Sequence, residues 1–173
     1  MIALYIVGGI LVLILLLIAF APTNFVIQKE IVINKPRDQV FPYLKSLKNQ
    51  DIWSPWNTKD PNMKKDFRGI DSMVGCVTAW ESEDKNVGKG EQEIIKITEG
   101  ERVDFELRFE KPMKATNNAF LRATSSGPNA TNVTWGFSGE SKRPMNVMTL
   151  MMKGVLAKAF KEGLTNMKRI LEE

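Results

Sequence analysis

The chain opens with a run that has no polar interruption. Residues 1–21 contain no charged side chain, and all of them are apolar apart from Gly8 and Gly9. A helix rises about 1.5 Å per residue, so about 20 apolar residues match the roughly 30 Å hydrocarbon core of a bilayer. The run therefore predicts a transmembrane anchor over residues 1–22, followed by one domain over residues 23–173.

A cleaved secretory signal is the alternative for this run, because Ala19-Phe20-Ala21 has the small-x-small form of a cleavage site. No lysine or arginine precedes the run, however, and it exceeds the roughly 7–15 residues of a signal's apolar region. We therefore favour an uncleaved, single-pass N-terminal anchor. The first basic residues, Lys29, Lys35 and Arg37, follow the run, which favours a domain on the cytoplasmic side of the membrane.

Past the anchor, apolar positions recur with two different periods. Residues 25–33 alternate as in a half-buried strand. Residues 34–49 carry an apolar stripe interrupted by Pro42, and this pattern predicts two short helices. Residues 50–62 predict a loop that contains Trp53 and Trp56. Two tryptophans in a loop indicate that the loop closes over an apolar surface.

Six further strand-like runs are separated by turn residues, at 64–68, 76–81, 91–98, 102–109, 115–123 and 131–139. In the fourth run, Val103, Phe105, Leu107 and Phe109 alternate with charged side chains. Such one-sided strands are typical of an antiparallel sheet with one covered face and one face in water.

The element that covers the apolar face of the sheet is predicted at the end of the chain. From residue 145 to residue 171, apolar side chains recur at steps of three and four, which predicts a helix of about seven turns with one apolar stripe. Pro144 precedes it, as is common at a helix start. The predicted class is α+β: an antiparallel sheet of about seven strands wrapped on a long C-terminal helix.

The composition excludes several kinds of catalytic and metal-binding site. The chain has 24 basic and 20 acidic residues, a net charge of +4, no histidine, and Cys76 as its single cysteine. An intrachain disulfide and a histidine-based catalytic relay are therefore excluded, and soft-ligand metal sites are not expected. The basic residues are dispersed, which does not indicate nucleic-acid binding. We predict no metal and no cofactor.

Acid–base catalysis by carboxylates is the remaining catalytic option. The candidates within predicted strands are Glu81, Glu93, Asp104 and Glu106. Alternation places Asp104 and Glu106 on the face opposite the apolar one, so we expect them to be surface groups. Because the sequence contains no recognisable catalytic constellation, we do not assign an enzymatic activity, and the balance favours a protein that is not an enzyme.

A family resemblance rests on five segments: VINKPRDQVFPYLKSL (32–47), WSPWNTKDPNM (53–63), VGKGEQEI (87–94), ERVDFELRFEKPM (101–113) and NVTWGFSGE (132–140). In these, the chain resembles the START-like, or SRPBCC, superfamily, whose fold is called the helix-grip. It is most similar to a bacterial polyketide cyclase/dehydrase-type subgroup with an N-terminal membrane segment. The resemblance implies a curved sheet that grips the terminal helix, with an elongated cavity between them for an apolar ligand.

Carried over by position, the resemblance implies a cavity wall contributed by the sheet, the terminal helix and the loop at the cavity mouth. The wall residues are Trp53, Trp56, Trp80, Phe105, Leu107, Phe109, Trp135, Phe137, Met148, Met152, Leu156 and Phe160. The same side chains would equally serve as plain core beneath a helix. The leading hypothesis is a membrane-anchored domain that binds a hydrophobic small molecule or lipid. The alternatives are a cyclase/dehydrase-like enzyme and a non-catalytic interaction protein with a filled core.

Overall fold

The architecture is one antiparallel sheet with helices on one of its faces. The computed structural model describes residues 2–173, without the side chains of Ala3 and Leu4; Met1, the first residue of the predicted anchor, lies outside the described residues. The helices are α1 (Ile2–Phe20), α2 (Arg37–Lys45), α3 (Leu47–Trp53), α4 (Pro55–Lys59) and α5 (Asn146–Glu172). The strands are β1 (Asn24–Ile33), β2 (Lys64–Arg68), β3 (Val77–Glu81), β4 (Lys89–Thr98), β5 (Arg102–Lys111), β6 (Ala115–Ser125) and β7 (Thr131–Glu140).

The seven strands lie in the order β1-β7-β6-β5-β4-β3-β2, and every neighbouring pair is antiparallel. Five successive hairpins join β2 to β7, and β1 pairs with β7 to complete the sheet. The predicted seven-stranded antiparallel sheet is confirmed. We call the end of the sheet where β1 begins and β7 ends the proximal end, and the opposite end the distal end.

Alternation along the strands gives the sheet two unlike faces. We call the face that carries the apolar residues the concave face and the opposite one the convex face; Ile33, Phe105, Leu121 and Val133 are buried on the former. The convex face carries charged side chains, of which Arg108 is the best connected. The hydrophobic effect explains this division, because burying one apolar side chain contributes roughly 1.5–3 kcal/mol.

Three short helices, not the predicted two, connect β1 to β2. The segment expected to be a loop, residues 50–62, contains the end of α3 and all of α4. Ser46 starts α3 by accepting a hydrogen bond from the Asn49 backbone N–H at 3.1 Å, and Pro55 occupies the first turn of α4, where its missing N–H is harmless. These two start signals explain why the prediction of a loop was wrong.

Helix α5 begins at the proximal end and runs along the concave side to the distal end of β1. At its C-terminal end, Lys168 Nζ donates to the Val32 carbonyl oxygen at 2.7 Å, and Glu172 Oε1 accepts from the Asn34 backbone N–H at 2.6 Å. Helix α5 packs chiefly against β1, with further contacts to β7, α1, α3 and α4. The predicted terminal helix and its place against the sheet are confirmed.

Helix α1 precedes the sheet, and the side chains described in it, apart from Ile18, are exposed. Among the described residues, no helix meets the length and hydropathy expected of a membrane span. The predicted transmembrane helix is therefore not confirmed.

Candidate ligand groove between the sheet and the C-terminal helix

The predicted wall residues separate into two groups, and the first fills the space under the C-terminal half of α5. Trp135 of β7 stacks on Phe160 of α5 with ring centroids 4.2 Å apart and an angle of 7° between the planes. Trp53 and Trp56, from α3 and α4, meet the Trp135 ring edge-on at 4.9 and 5.6 Å. Aromatic contacts of this kind stabilise a core beyond the area they bury. These four side chains act as core.

Gly163 shows how closely this aromatic cluster is packed. A Cβ atom at residue 163 would lie 2.8 Å from the Trp135 Cζ3 atom and 3.1 Å from the Pro55 Cδ atom. Only a residue without a side chain allows α5 to approach the tryptophan so closely. Phe105, another predicted wall residue, is also fully buried on the sheet floor. These five predicted wall residues therefore pack against other protein groups.

The second group lies on the concave face near the proximal end and is half-buried. Trp80, Leu107, Phe109 and Phe137 belong to it. Trp80 lies 5.8 Å from Phe109, edge to face, and its Nε1 atom donates to the Val87 carbonyl oxygen at 3.2 Å. Phe137 also meets the Phe160 ring edge-on at 6.4 Å, so it connects this group to the aromatic cluster, and all four side chains remain partly exposed.

The N-terminal half of α5 carries three further predicted wall residues. Met148 and Met152 are 39% and 46% exposed, and Leu156 is half-buried. Methionine is flexible and polarisable, so it adapts to ligands of different shape. We give the name proximal groove to the space that the resemblance predicts between these three side chains and Trp80, Leu107, Phe109 and Phe137 of the sheet.

Two buried amides that the sequence analysis missed lie on the floor beside this groove. Gln92 and Asn117 flank Leu107 in the sheet, one on each neighbouring strand. Gln92 Nε2 donates to Gln50 Oε1 at 2.8 Å, and Asn117 Oδ1 lies over Gly139, in the space where a Cβ atom would otherwise be. Strand alternation could have identified both, because each is a polar residue in the register of an apolar face.

Two surface depressions are present, and only one of them reaches a residue of this region. One, of about 180 Å³, reaches Trp80 and Gly90 and is otherwise lined mainly by charged residues of β2 to β5. The other, of about 320 Å³, lies on the outer side of α5 at Lys158, Lys161 and Glu162. Neither of these depressions is an apolar chamber between α5 and the sheet.

The acidic side chains considered for catalysis lie on the convex face, away from the groove; they are Glu81, Glu93, Asp104 and Glu106. Arg108 contacts Glu93 at 2.7 Å, Glu106 at 2.5 Å and Glu91 at 2.7 Å. Hydrogen bonds from Arg108 are the main cause that lowers the pKa of Glu91, with a smaller effect from Arg68, while burial opposes both. This network stabilises the sheet surface and presents no carboxyl group to the groove.

Cys76 is the remaining reactive side chain, and it is fully buried in the core. Burial raises the pKa of its thiol, and the charge of Asp71 raises it further. A neutral, buried thiol is a poor nucleophile. Among residues 2–173, no group of three or more acidic, histidine or cysteine side chains is arranged to hold a metal ion.

Comparison with known proteins gives one family and many structural neighbours. The family model described as "Polyketide cyclase / dehydrase and lipid transport" matches residues 24–172. No protein with a curated description matches the chain significantly.

The structural neighbours share the fold at low sequence identity. A protein from Chromobacterium violaceum has a TM-score of 0.60 at 12% identity, with 86% of this chain and 97% of that chain covered. The Aha1 dimer from Colwellia psychrerythraea has a TM-score of 0.59 at 16% identity, with coverage of 86% and 96%. DynU16, from the dynemicin biosynthetic locus, has a TM-score of 0.59 at 15% identity, with coverage of 85% and 47%. At these identities the likeness concerns the fold alone.

Proposed function

This chain belongs to the polyketide cyclase/dehydrase and lipid transport family, and from that premise we propose that it is a membrane-held module that binds a hydrophobic small molecule or lipid. The observation that carries the proposal is the unequal filling of the helix-grip. The distal half is occupied by stacked aromatic rings, whereas the proximal groove leaves apolar side chains of both sheet and helix half-exposed.

The chemistry of the proximal groove suits an apolar ligand with one polar end. Its walls are aromatic, leucine and methionine side chains, and its floor adds the amides of Gln92 and Asn117. Ligand sites commonly combine apolar walls with a few well-placed polar groups. An amide can orient a hydroxyl or carbonyl group of the ligand by hydrogen bonding, and apolar contact supplies the affinity.

Membrane attachment is the second part of the proposal, and α1 supports it. The helix has 19 residues, none of them charged, and would be about 28 Å long at 1.5 Å per residue. Side chains such as Ile10 and Leu15 are more than half exposed. Exposed apolar surface of this extent is typical of contact with lipid or protein. We propose that the domain lies on the cytoplasmic side, because the first basic residues follow α1.

The test is direct detection of the ligand in the full chain purified in detergent. Lipid extraction and mass spectrometry should recover a hydrophobic compound in stoichiometric amount, and cis-parinaric acid, a fluorescent fatty acid, should compete for its place. The double substitution Phe109→Ser and Met152→Ser should weaken cis-parinaric acid binding about tenfold or more, because it removes apolar surface from both walls.

The matched control is Ile70→Ser, which removes an exposed apolar side chain far from the groove and should leave binding unchanged. Protein that is consistently empty and has no affinity for cis-parinaric acid would overturn the binding proposal. That result would favour an interaction protein that uses its surface.

A cyclase/dehydrase-like enzyme is the second candidate, favoured by the family description and by the two buried amides. Gln92 and Asn117 could hold a reactive carbonyl group in place. Amides do not ionise, however, so they would act by orienting the substrate and not by transferring a proton. If the recovered compound is converted into a product by the wild-type chain and not by Gln92→Leu or Asn117→Leu, the enzyme is the better description.

A further inference from the structure

The open half of the helix-grip and the helix α1 lie at the same end of the molecule. Asn24, the first residue of β1, pairs with Glu140, the last residue of β7, and α5 begins six residues later. Phe109, near the end of β5, pairs with Ala115, the first residue of β6, at this same proximal end. The proximal groove is therefore on the side of the domain where α1 enters.

The junction between α1 and α5 is a hydrogen-bonded joint. Asn146 is fully buried, and its Nδ2 atom donates to the carbonyl oxygens of Ile18 and Ala21, both at 2.9 Å. Arg143 donates to the carbonyl oxygens of Ile18 at 3.1 Å and Ala19 at 2.9 Å. The last carbonyl groups of a helix lack hydrogen-bond partners within it and carry partial negative charge. The Asn146 amide and the Arg143 guanidinium supply donors, and the guanidinium also supplies positive charge.

An apolar strip on α5 starts two residues after this joint. Met148, Met151 and Val155 follow one another at spacings of three and four, so they lie on one face of the helix. They are 39%, 76% and 65% exposed. This strip lies beside the face that carries Met152 and Leu156, and it shares Met148 with the proximal groove, so the two surfaces adjoin.

Basic residues precede and follow the strip along the chain, and the acidic Glu162 lies one further turn along the same helix face. Lys142 and Arg143 precede it, and Lys158 follows Val155 on the next turn. At the proximal end, the β5–β6 hairpin also presents the exposed Met113 between Lys111 and Lys114. Apolar side chains flanked by lysine and arginine are typical of helices that lie in the headgroup region of anionic bilayers.

We propose that the strip of Met148, Met151 and Val155 contacts the surface of the bilayer that holds α1, so that the proximal groove opens towards lipid and takes its ligand from there. This inference rests on the proposed function. The continuity with α1 and the flanking positive charge favour a lipid surface over a second copy of the chain, which would bring equal positive charges together.

The test measures depth in the membrane with nitroxide labels on the full chain, reconstituted in vesicles of phosphatidylcholine and phosphatidylglycerol. Single cysteines are introduced as Ile10→Cys in α1, Met151→Cys in the strip, and Ile70→Cys in the loop after β2. Ile70 is 74% exposed, close to the 76% of Met151, so it is a matched control. The native Cys76 is buried, and unsubstituted protein measures any labelling of it.

The labels at Ile10 and Met151 should collide mainly with oxygen, which concentrates in lipid, and the label at Ile70 mainly with a water-soluble nickel chelate. If Ile10 is in lipid and Met151 behaves like Ile70, the inference fails and membrane attachment stands. If Ile10 is also in water, membrane attachment itself fails. Spin–spin broadening at Met151 would mean that a second copy occupies the strip, which also overturns the inference.

A functional measurement separates binding from access to the bilayer. The double substitution Met151→Glu and Val155→Glu should slow the transfer of cis-parinaric acid from vesicles to the protein by about tenfold. Its affinity in detergent should be unchanged, because neither residue lines the groove. Ile70→Glu should change neither quantity. An unchanged transfer rate in the strip variant would overturn a membrane-facing route.

Discussion

In the C-terminal half of α5, Phe160, Leu164 and Met167 are buried; in its N-terminal half, Met148, Met151 and Met152 are exposed. Both halves belong to one uninterrupted helix with one apolar periodicity. The difference comes from what faces them. β1, α3 and α4 approach the C-terminal half closely, and the first half extends beside a sheet surface that is only partly covered.

This comparison shows that apolar spacing predicts which face of a helix is apolar and does not predict whether protein covers it. Burial requires a partner surface at the right distance, and distant parts of the chain supply that surface. In this protein the tryptophans of α3 and α4 supply it for one half only. The uncovered half is available to a ligand or a lipid surface.

The largest expected effect comes from removing an aromatic ring in the filled half. Phe160→Ala should lower the free energy of unfolding by about 3–5 kcal/mol, because Phe160 is buried and stacked on Trp135. Met151→Ala should change it by less than about 0.5 kcal/mol. Urea unfolding in detergent micelles, followed by tryptophan fluorescence, measures both. Equal losses would mean that the two halves are packed alike.

Two glycines of α5 provide a sharper version of the same contrast. Gly163→Ala should destabilise the protein by about 1–3 kcal/mol, because the new methyl group would meet the Trp135 ring. Gly154→Ala should stabilise it by about 0.5–1 kcal/mol, since no atom of a neighbouring element lies within 4 Å of that position and alanine favours helix. Shifts of the same sign in urea unfolding would contradict the comparison.

Removing hydrogen bonds from the joint between α1 and α5 should have a smaller and more local effect on stability. Asn146→Ala removes the donor to Ile18 and Ala21, and should cost about 1–2 kcal/mol. Hydrogen–deuterium exchange should accelerate in the last turn of α1. Thr149→Ala is the control, because the Thr149 hydroxyl bonds only to the preceding turn of its own helix, and exchange in α1 should stay as in the wild type.

The smallest effect concerns the convex face and depends on pH. The pKa of Glu91 is lower in the folded state than its ordinary 4.5, so its stabilising contribution is present above that value. The contribution is lost as the pH falls through the lower, folded pKa. Glu91→Gln should therefore cost less than about 1 kcal/mol near neutral pH and nothing in strong acid. A difference that grows in acid would have the wrong sign.

Much of this fold could be predicted from the sequence, because the strands alternate cleanly. The alternation of Val103, Phe105, Leu107 and Phe109 with charged residues correctly indicated both faces of β5. The stripe of α5 likewise indicated a helix covering the sheet. Local pattern was less successful between β1 and β2, where the start signals at Ser46 and Pro55 produced helices in a segment that reads as a loop.

The division of the predicted cavity wall could not be predicted in the same way. Phe160 and Met152 both belong to the predicted apolar stripe, and the sequence does not show that Trp53 and Trp56 lie beneath α5 at one of them only. The amides of Gln92 and Asn117 could have been found, since each interrupts an apolar face in a strand. That the residues of the proximal groove line a ligand cavity remains a prediction.

The attachments at the two ends of α5 have a mechanical consequence. One end is held to α1 by Asn146, and the other is held to β1 by Lys168. A helix attached at both ends cannot rotate away from the sheet about one end. The space between such a helix and the sheet can widen only if the helix bends. The unsupported span between the joint and the aromatic cluster contains Gly154, the residue with the least intrinsic preference for a straight helix among its neighbours. If the proposed function holds, a stiffer span, as in Gly154→Ala, should therefore admit only smaller ligands.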